Sequence, residues 1–365
     1  MKHLIVPLIA AVLVLGNCST ENPTFPWVQG GFDEALAKAK TDDSKLVMIE
    51  FSTDWCSWCK RLDAQTWPDP KVIEVAQQHL IPIEVDAEKG DGIELAKKFR
   101  IGGYPTMVFL NAEGEEVDRI PGYLPAEDMV GELTRIVNGI DTYPTLKARL
   151  EENPNDPGLL IQFAQKVENM SGLEGAVSYW EKVPDLAEAD DNQKALSRFK
   201  IAQHQVEQSA SPDALKAYIS QNADSPYIPE AYNNLSRYYR RAGDGEGEAR
   251  VLQEYVTFME QRGTVSTQLY NGYAWRMAEL EKNLEDALVK SAKAIELLPE
   301  TTDSASRAQV MDTRAEVLWK LGRRDEAVQI IDQCITLQPE DEYYAKQKMK
   351  FQTTQAGEVA AGSGA

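Results

Sequence analysis

The stretch STDWCSWCK, residues 52–60, places two cysteines three positions apart, with a tryptophan before the first and a lysine after the second. Such a pair could be a structural disulfide, half of a zinc site, a nucleophilic redox pair or an accident of sequence. An apolar run of strand length, residues 45–51 (KLVMIEF), precedes the pair, and a helical pattern begins at Cys59. This position, between a strand and a helix, favours the redox pair.

The remaining cysteines and histidines of the chain are too few for a typical structural zinc site. A structural zinc site usually needs four ligands, commonly two cysteine pairs or one pair with histidines. Outside the pair, the chain offers only Cys18, Cys334, His3, His79 and His204. We therefore expect no metal site and no cofactor, and we expect Cys334 to be an inert core thiol.

Redox chemistry assigns different roles to the two cysteines. One must be a thiolate that attacks a disulfide, and the other must lie close enough to resolve the mixed disulfide. The N-terminus of a helix carries a partial positive charge that favours a thiolate. We predict that Cys56 is the exposed attacking residue and Cys59 the partly buried resolving residue, with Lys60 adding positive charge nearby.

The first part of the chain alternates between helical and strand patterns over residues 27–139. Further strands are predicted at residues 80–85, 106–110 and 116–120, with a hairpin turn at 111–114 and a last helix at 126–137. A break is expected in the helical pattern near Pro68 and Pro70. The pattern predicts a βαβ half joined to a ββα half.

Beyond residue 141 the chain is helical and repetitive. The segments AYNNLSRYYRRAGDGEGEA, NGYAWRMAELEKNLEDA and TRAEVLWKLGRRDEA share the pattern of a helix rich in aromatic and small residues, a polar turn and a second helix. Such helix pairs bury their apolar faces only by stacking, and the groove that results binds a peptide or partner protein. The alternative is that the array is only a spacer or a dimerisation surface.

The first residues carry an export pattern. An apolar run at residues 4–16 (LIVPLIAAVLVLG) is short for a membrane span and predicts a signal peptide over residues 1–18. Cys18 lies just after the apolar run, at the end of the predicted signal peptide, and resembles the lipidated cysteine of bacterial lipoproteins. The alternative is ordinary cleavage and release. We therefore expect an extracytoplasmic, periplasmic location, either lipid-anchored or released. The net charge of −20 disfavours nucleic acid as a partner.

The segments IEFSTDWCSWCK, RIGGYPTMVFL and RIPGY together resemble the thioredoxin superfamily, and the later helical pattern resembles tetratricopeptide repeats. The resemblance implies an α/β thioredoxin fold, a central mixed sheet flanked by helices, followed by an all-α tetratricopeptide-repeat superhelix. The expected boundaries are residues 24–140 for the first domain, 145–351 for the second and 352–365 for a flexible tail.

The resemblance also implies roles for individual residues. Cys56 and Cys59 match the family's nucleophilic and resolving cysteines, and Glu50 matches its buried acid, which exchanges a proton with Cys59 through water. The alternative for Glu50 is a strand glutamate with its carboxylate in solvent. The substrate-binding residues are expected to be Trp55, Trp58, Tyr104, a cis Pro105, Thr106 and Gly122. Trp58 could instead cap Cys59.

These features predict an exported thiol–disulfide oxidoreductase, a reductase or isomerase. Its partners would be a disulfide-containing client protein, a membrane or soluble thiol electron donor, and a protein or peptide in the repeat groove. The intervening dipeptide, Ser57 and Trp58, leaves the direction of electron flow open. The alternative is a chaperone-like or adaptor protein whose thioredoxin-like domain is an interaction platform.

Overall fold

A computed structural model describes residues 24–42 and 44–354. The predicted signal peptide, Cys18 and most of the predicted tail lie outside the described residues. The described part forms two compact units, one ending at Tyr179 and the other beginning at Trp180. None of the helices in these ranges has the length and apolar character that a membrane crossing requires.

The first unit is built on a four-stranded mixed sheet. Its strands are β1 (Leu46–Ser52), β2 (Leu80–Asp86), β3 (Thr106–Leu110) and β4 (Glu116–Pro121), in the order β2-β1-β3-β4. β1 pairs parallel to β2 and antiparallel to β3, and β4 pairs antiparallel to β3. The predicted hairpin turn is confirmed by a hydrogen bond from Gly114 N to Asn111 O of 3.0 Å.

Helices cover both faces of this sheet and enclose an apolar core on each face. The predicted break in the helical pattern is confirmed, because Asp69 caps a new helix by accepting a hydrogen bond of 2.8 Å from Lys71 N. The helices are α1 (Gly31–Ala39), α2 (Ser57–Gln65), α3 (Pro70–His79), α4 (Gly92–Lys98), α5 (Ala126–Val137), α6 (Tyr143–Glu152) and α7 (Pro157–Trp180). α7 is interrupted at Gly172, whose φ of 76° and ψ of 174° are not helical.

The second unit is entirely helical in its described residues. Its helices are α8 (Asp191–Ser209), α9 (Asp213–Gln221), α10 (Ile228–Arg241), α11 (Gly245–Gln261), α12 (Thr267–Leu280), α13 (Leu284–Glu296), α14 (Ser304–Lys320), α15 (Arg324–Leu337) and α16 (Glu342–Thr353). α12 packs on both α13 and α14, and α14 packs on α15, as stacked helix pairs do. Small and aromatic residues of these helices share one continuous core. The predicted fold class, a thioredoxin fold followed by an all-α repeat array, is confirmed.

Candidate functional site

The two cysteines of the pair are joined in a disulfide at the start of α2. Cys56 is the N-cap of this helix, and its sulfur accepts a hydrogen bond of 3.0 Å from Cys59 N. Each cysteine is only 4% exposed. The exposure predicted for Cys56 is therefore wrong for the disulfide form, because its sulfur is bonded to Cys59 inside the first helical turn. The helix N-terminus still favours a thiolate at Cys56 after reduction.

Two tryptophans flank the disulfide and remain largely exposed, Trp55 at 64% and Trp58 at 51%. The indole N–H of Trp55 donates to Glu88 at 3.0 Å, and its ring meets the edge of Tyr104 with centroids 5.9 Å apart. Trp58 packs against Tyr123 at 5.5 Å. Trp55 and Trp58 therefore form an exposed aromatic rim next to the buried disulfide.

The loop that precedes β3 carries a cis peptide bond between Tyr104 and Pro105. Gly122 N donates to Pro105 O at 2.8 Å, which fixes this loop against the end of β4. The contact between Trp55 and Tyr104 links the loop to the residue beside Cys56. The predicted substrate-binding residues Tyr104, Pro105, Thr106 and Gly122 thus lie together.

A cavity of about 380 Å³ opens at this loop, and sequence reasoning missed part of its wall. Besides the loop and Gly122, it is lined by Arg100, Arg119 and a segment of α7 around its interruption, including Glu168, Asn169, Met170 and Gly172. No local pattern in the sequence indicates this contribution, because α7 is distant along the chain from the loop.

Glu50 lies in the middle of β1 and is 1% exposed. Its Oε2 accepts a hydrogen bond of 2.9 Å from the indole N–H of Trp67. Burial raises the pKa of Glu50 well above its ordinary value of 4.5, and the nearby carboxylates of Asp63 and Glu84 raise it further. The alternative in which this glutamate points into solvent is wrong. A buried acid with a raised pKa can hold a proton and release it during a reaction.

Residues 32–136 match the family model described as a thioredoxin-like domain. This segment is a thioredoxin-like domain. The predicted resemblance to the thioredoxin superfamily is therefore confirmed for this part of the chain.

The chain is also similar to several known proteins. It is 31% identical over 98 residues to the thiol:disulfide interchange protein DsbD of Campylobacter jejuni strain RM1221, covering 27% of this chain and 17% of that relative. A thioredoxin from Thermus thermophilus is 30% identical, with 29% of this chain and 82% of that chain covered and a TM-score of 0.27. YrrB, a TPR protein with an unusual peptide-binding site, is 19% identical. The match covers 56% of this chain and 97% of that chain, with a TM-score of 0.39. The chain spans less than a fifth of the DsbD relative.

The first unit has a second cavity, of about 640 Å³, between its first described residues and the end of α2. Trp67, which holds Glu50, forms its wall together with Asp63 and an aromatic cluster in which Phe25 lies 4.7 Å and Trp27 5.7 Å from the Trp67 ring. Burial and Glu84 raise the pKa of Asp63. The sequence offered one signal for Asp63, its position four residues after Cys59 on the same helical face.

No group of three or more histidine, cysteine, aspartate or glutamate side chains in residues 24–42 and 44–354 is arranged to hold a metal ion. The groups that the structure places in this domain are the disulfide of Cys56 and Cys59, the buried Glu50 and the cis-proline loop.

Proposed function

We propose that the protein is a thiol–disulfide oxidoreductase that reduces or isomerises disulfides of client proteins. The observation that carries this proposal is the disulfide between Cys56 and Cys59 at the N-cap of α2, beside the loop that contains the cis Pro105. A helix N-terminus lowers the pKa of a cysteine in this position, and a neighbouring thiol resolves the intermediate that it forms.

The reaction transfers two electrons from the dithiol to the client. The Cys56 thiolate attacks one sulfur of a client disulfide, which forms a mixed disulfide and releases one client thiolate. The Cys59 thiolate then attacks the Cys56 sulfur, which forms the internal disulfide and releases the second client thiolate. A thiol electron donor must reduce the internal disulfide before another cycle.

Glu50 acts on the proton of Cys59 in this scheme. The resolving thiol must lose a proton before it attacks, and a buried carboxylate whose pKa lies well above the ordinary value is a suitable acceptor. Trp67, the donor to Glu50, also lines the cavity bordered by Asp63, and we propose that the proton reaches solvent on that side.

The client binds along the exposed rim and the cis-proline loop. Trp55 and Trp58 present aromatic surface on either side of Cys56, and Tyr104, Pro105, Thr106 and Gly122 supply backbone groups for an extended chain. The helical array of the second unit binds a protein or peptide partner. We place the protein outside the cytoplasm on the export pattern of residues 1–18, with a membrane or soluble thiol donor in that compartment.

Trapping of the mixed disulfide tests this proposal. Reduced Cys59→Ser protein, incubated with scrambled ribonuclease, should form a covalent complex that a thiol reductant releases on a gel. Cys56→Ser should form none, and Cys334→Ser should turn over like the wild type. Equal exchange activity of Cys56→Ser and the wild type would refute the assignment.

A further inference from the structure

The second unit contains a cavity of about 620 Å³ between helices α12, α14 and α16. Asn271 and Trp275 of α12, Asp312 of α14, and Tyr343 and Tyr344 of α16 contribute to its wall. These residues are far along the chain from the Cys56–Cys59 disulfide, and the disulfide exchange proposed above does not use them.

Two hydrogen-bond acceptors at this wall lack a donor. In the part of the chain that the structure describes, neither Asn271 Oδ1 nor Asp312 Oδ1 has a hydrogen-bond partner, although both atoms are shielded from solvent. Asp312 is only 4% exposed, and its other oxygen accepts a hydrogen bond of 3.0 Å from the hydroxyl of Tyr343. A buried acceptor without a donor is costly, so this wall is suited to a ligand that brings donors.

The electrostatic character of the cavity identifies the kind of donor. Asp312 is the charged residue among its described lining residues, and they include no lysine or arginine. An adjoining cavity of about 790 Å³ shares Asn271 with the first; its described wall contains the acidic Asp303 and again no basic residue. The two cavities adjoin, and together they form an acidic trough.

Lys350 lies close enough to lower the pKa of Asp312 by its charge, but no ion pair joins the two residues in the described structure. The ammonium group of Lys350 is bonded to both carboxylate oxygens of Glu316, at 2.8 and 2.7 Å. The aromatic rings of Trp275, Tyr343 and Tyr344 also line the cavity. A carboxylate among aromatic rings is a favourable site for an ammonium or guanidinium group, because cations are attracted to the faces of such rings.

We infer that this trough binds an extended polypeptide segment of a client or partner and receives one of its lysine or arginine side chains at Asp312 and Asn271. The inference rests on the proposed function, in which the helical array binds a polypeptide, and it specifies the chemistry of that partner. The cation donates to the two unpaired oxygens while its charge faces the carboxylate and the aromatic rings.

Selection from a phage-displayed library of random 12-residue peptides on the full chain tests the inference. The selected peptides should be enriched in lysine and arginine. A synthetic copy of a selected peptide should lose affinity about tenfold or more, measured by fluorescence anisotropy, when its cationic residue is replaced by glutamine. Asp312→Asn in the protein should cause a similar loss, while Asp325→Asn, an exposed acid on α15, should leave binding unchanged.

A second variant guards against a folding defect in Asp312→Asn. Asn271→Asp adds a carboxylate at the same wall and should tighten binding of the cationic peptide. Absence of binding peptides, absence of lysine and arginine enrichment, or unchanged affinity in both variants would overturn the inference. Equal affinity for free arginine amide would also overturn it, because the occupant would then be a small cation.

The two proposals can fail separately. The Cys56→Ser, Cys59→Ser double variant should bind the selected peptides as the wild type does. Asp312→Asn should reduce a small aromatic disulfide reagent at the wild-type rate. If the wild-type protein failed to exchange disulfides but still bound the selected peptides, the redox proposal would be refuted and the proposal for the trough would stand.

Discussion

Glu50 carries a carboxyl group that is buried in the thioredoxin-like domain. It sits in a central strand, 1% exposed, and its described hydrogen-bond donor is the Trp67 indole. Burial raises its pKa in the folded protein well above 4.5. At pH values between 4.5 and the folded pKa, the native state holds a proton that the unfolded chain has lost.

This difference in proton binding makes the stability of the protein depend on pH. The contribution of Glu50 to the free energy of unfolding falls as the pH rises through that window, because the native state must keep the proton or bury a charge. We expect Glu50→Gln to remove this pH-dependent loss of stability. The free energy of unfolding of the variant, relative to that of the wild type, should therefore increase from pH 4 to pH 8 in urea unfolding of the oxidised protein. Glu113→Gln, in the exposed hairpin turn, is the matched control. A constant difference between the two proteins across this pH range would contradict the account.

A second prediction concerns the reactivity of the Cys334 thiol. Its thiol is fully buried in the helical core, and burial raises its pKa to about 12. A thiolate is the reactive form, so iodoacetamide at pH 8 should label Cys56 of the reduced native protein and leave Cys334 unmodified until the chain unfolds. Peptide mass spectrometry would detect the labels, and rapid native labelling of Cys334 would show that its burial is wrong.

The residues that carry a local signal could be identified from the sequence. Cys56, Cys59 and Pro105 stand in recognisable motifs, and the apolar neighbours of Glu50 indicated that it is buried. Trp67 could not be assigned to Glu50 in this way, because their hydrogen bond joins residues 17 positions apart on separate elements. The unpaired oxygen of Asp312 is equally invisible, because only the surrounding helices determine which donors are absent.

At the scale of elements, one buried ion cluster joins a strand to two helices within the first unit. Asp118 of β4 is completely buried and accepts ion pairs from Arg135 of α5 at 2.9 Å and from Lys166 of α7 at 2.6 Å. Removing one partner of such a cluster leaves the other charges uncompensated. The cluster therefore also positions α7, whose interrupted segment lines the cavity at the cis-proline loop.

We expect Asp118→Asn to lower the free energy of unfolding of this unit by about 3 kcal/mol in urea denaturation. The exposed pair of Glu94 and Lys97 is the control, and Glu94→Gln should cost less than about 1 kcal/mol. Equal effects of the two substitutions would mean that the cluster does not stabilise the packing of α5 and α7 on β4.

The elements themselves were largely predictable. The last helix of the thioredoxin-like domain begins and ends at the predicted residues, and β1 is displaced by one residue at each end. The role of α7 was not predicted, because its ion pair with Asp118 joins residues 48 positions apart in the sequence. The pattern of apolar residues also gives no sign that the helix is interrupted at Gly172. Periodicity shows which face of a helix is buried and does not show which distant element covers it.

At the scale of the whole molecule, the sequence is strongly acidic, with a net charge of −20. An acidic protein attracts basic partners over a distance that salt shortens. We expect the reduction rate of a basic disulfide-containing polypeptide to fall roughly threefold to tenfold between 20 and 200 mM salt. The rate with a small uncharged disulfide should stay constant. A salt-independent rate for the basic polypeptide would argue against electrostatic recognition of the client.

The reduction potential decides whether the disulfide between Cys56 and Cys59 is a redox couple or a structural link. Equilibration of the full chain in dithiothreitol or glutathione buffers, with thiol trapping and mass spectrometry, measures its reduction potential. For a redox couple we expect a two-electron transition between about −270 and −120 mV, the range of exchange-active dithiols. A pair that stays oxidised below about −300 mV would be a structural disulfide and would contradict the proposed redox function.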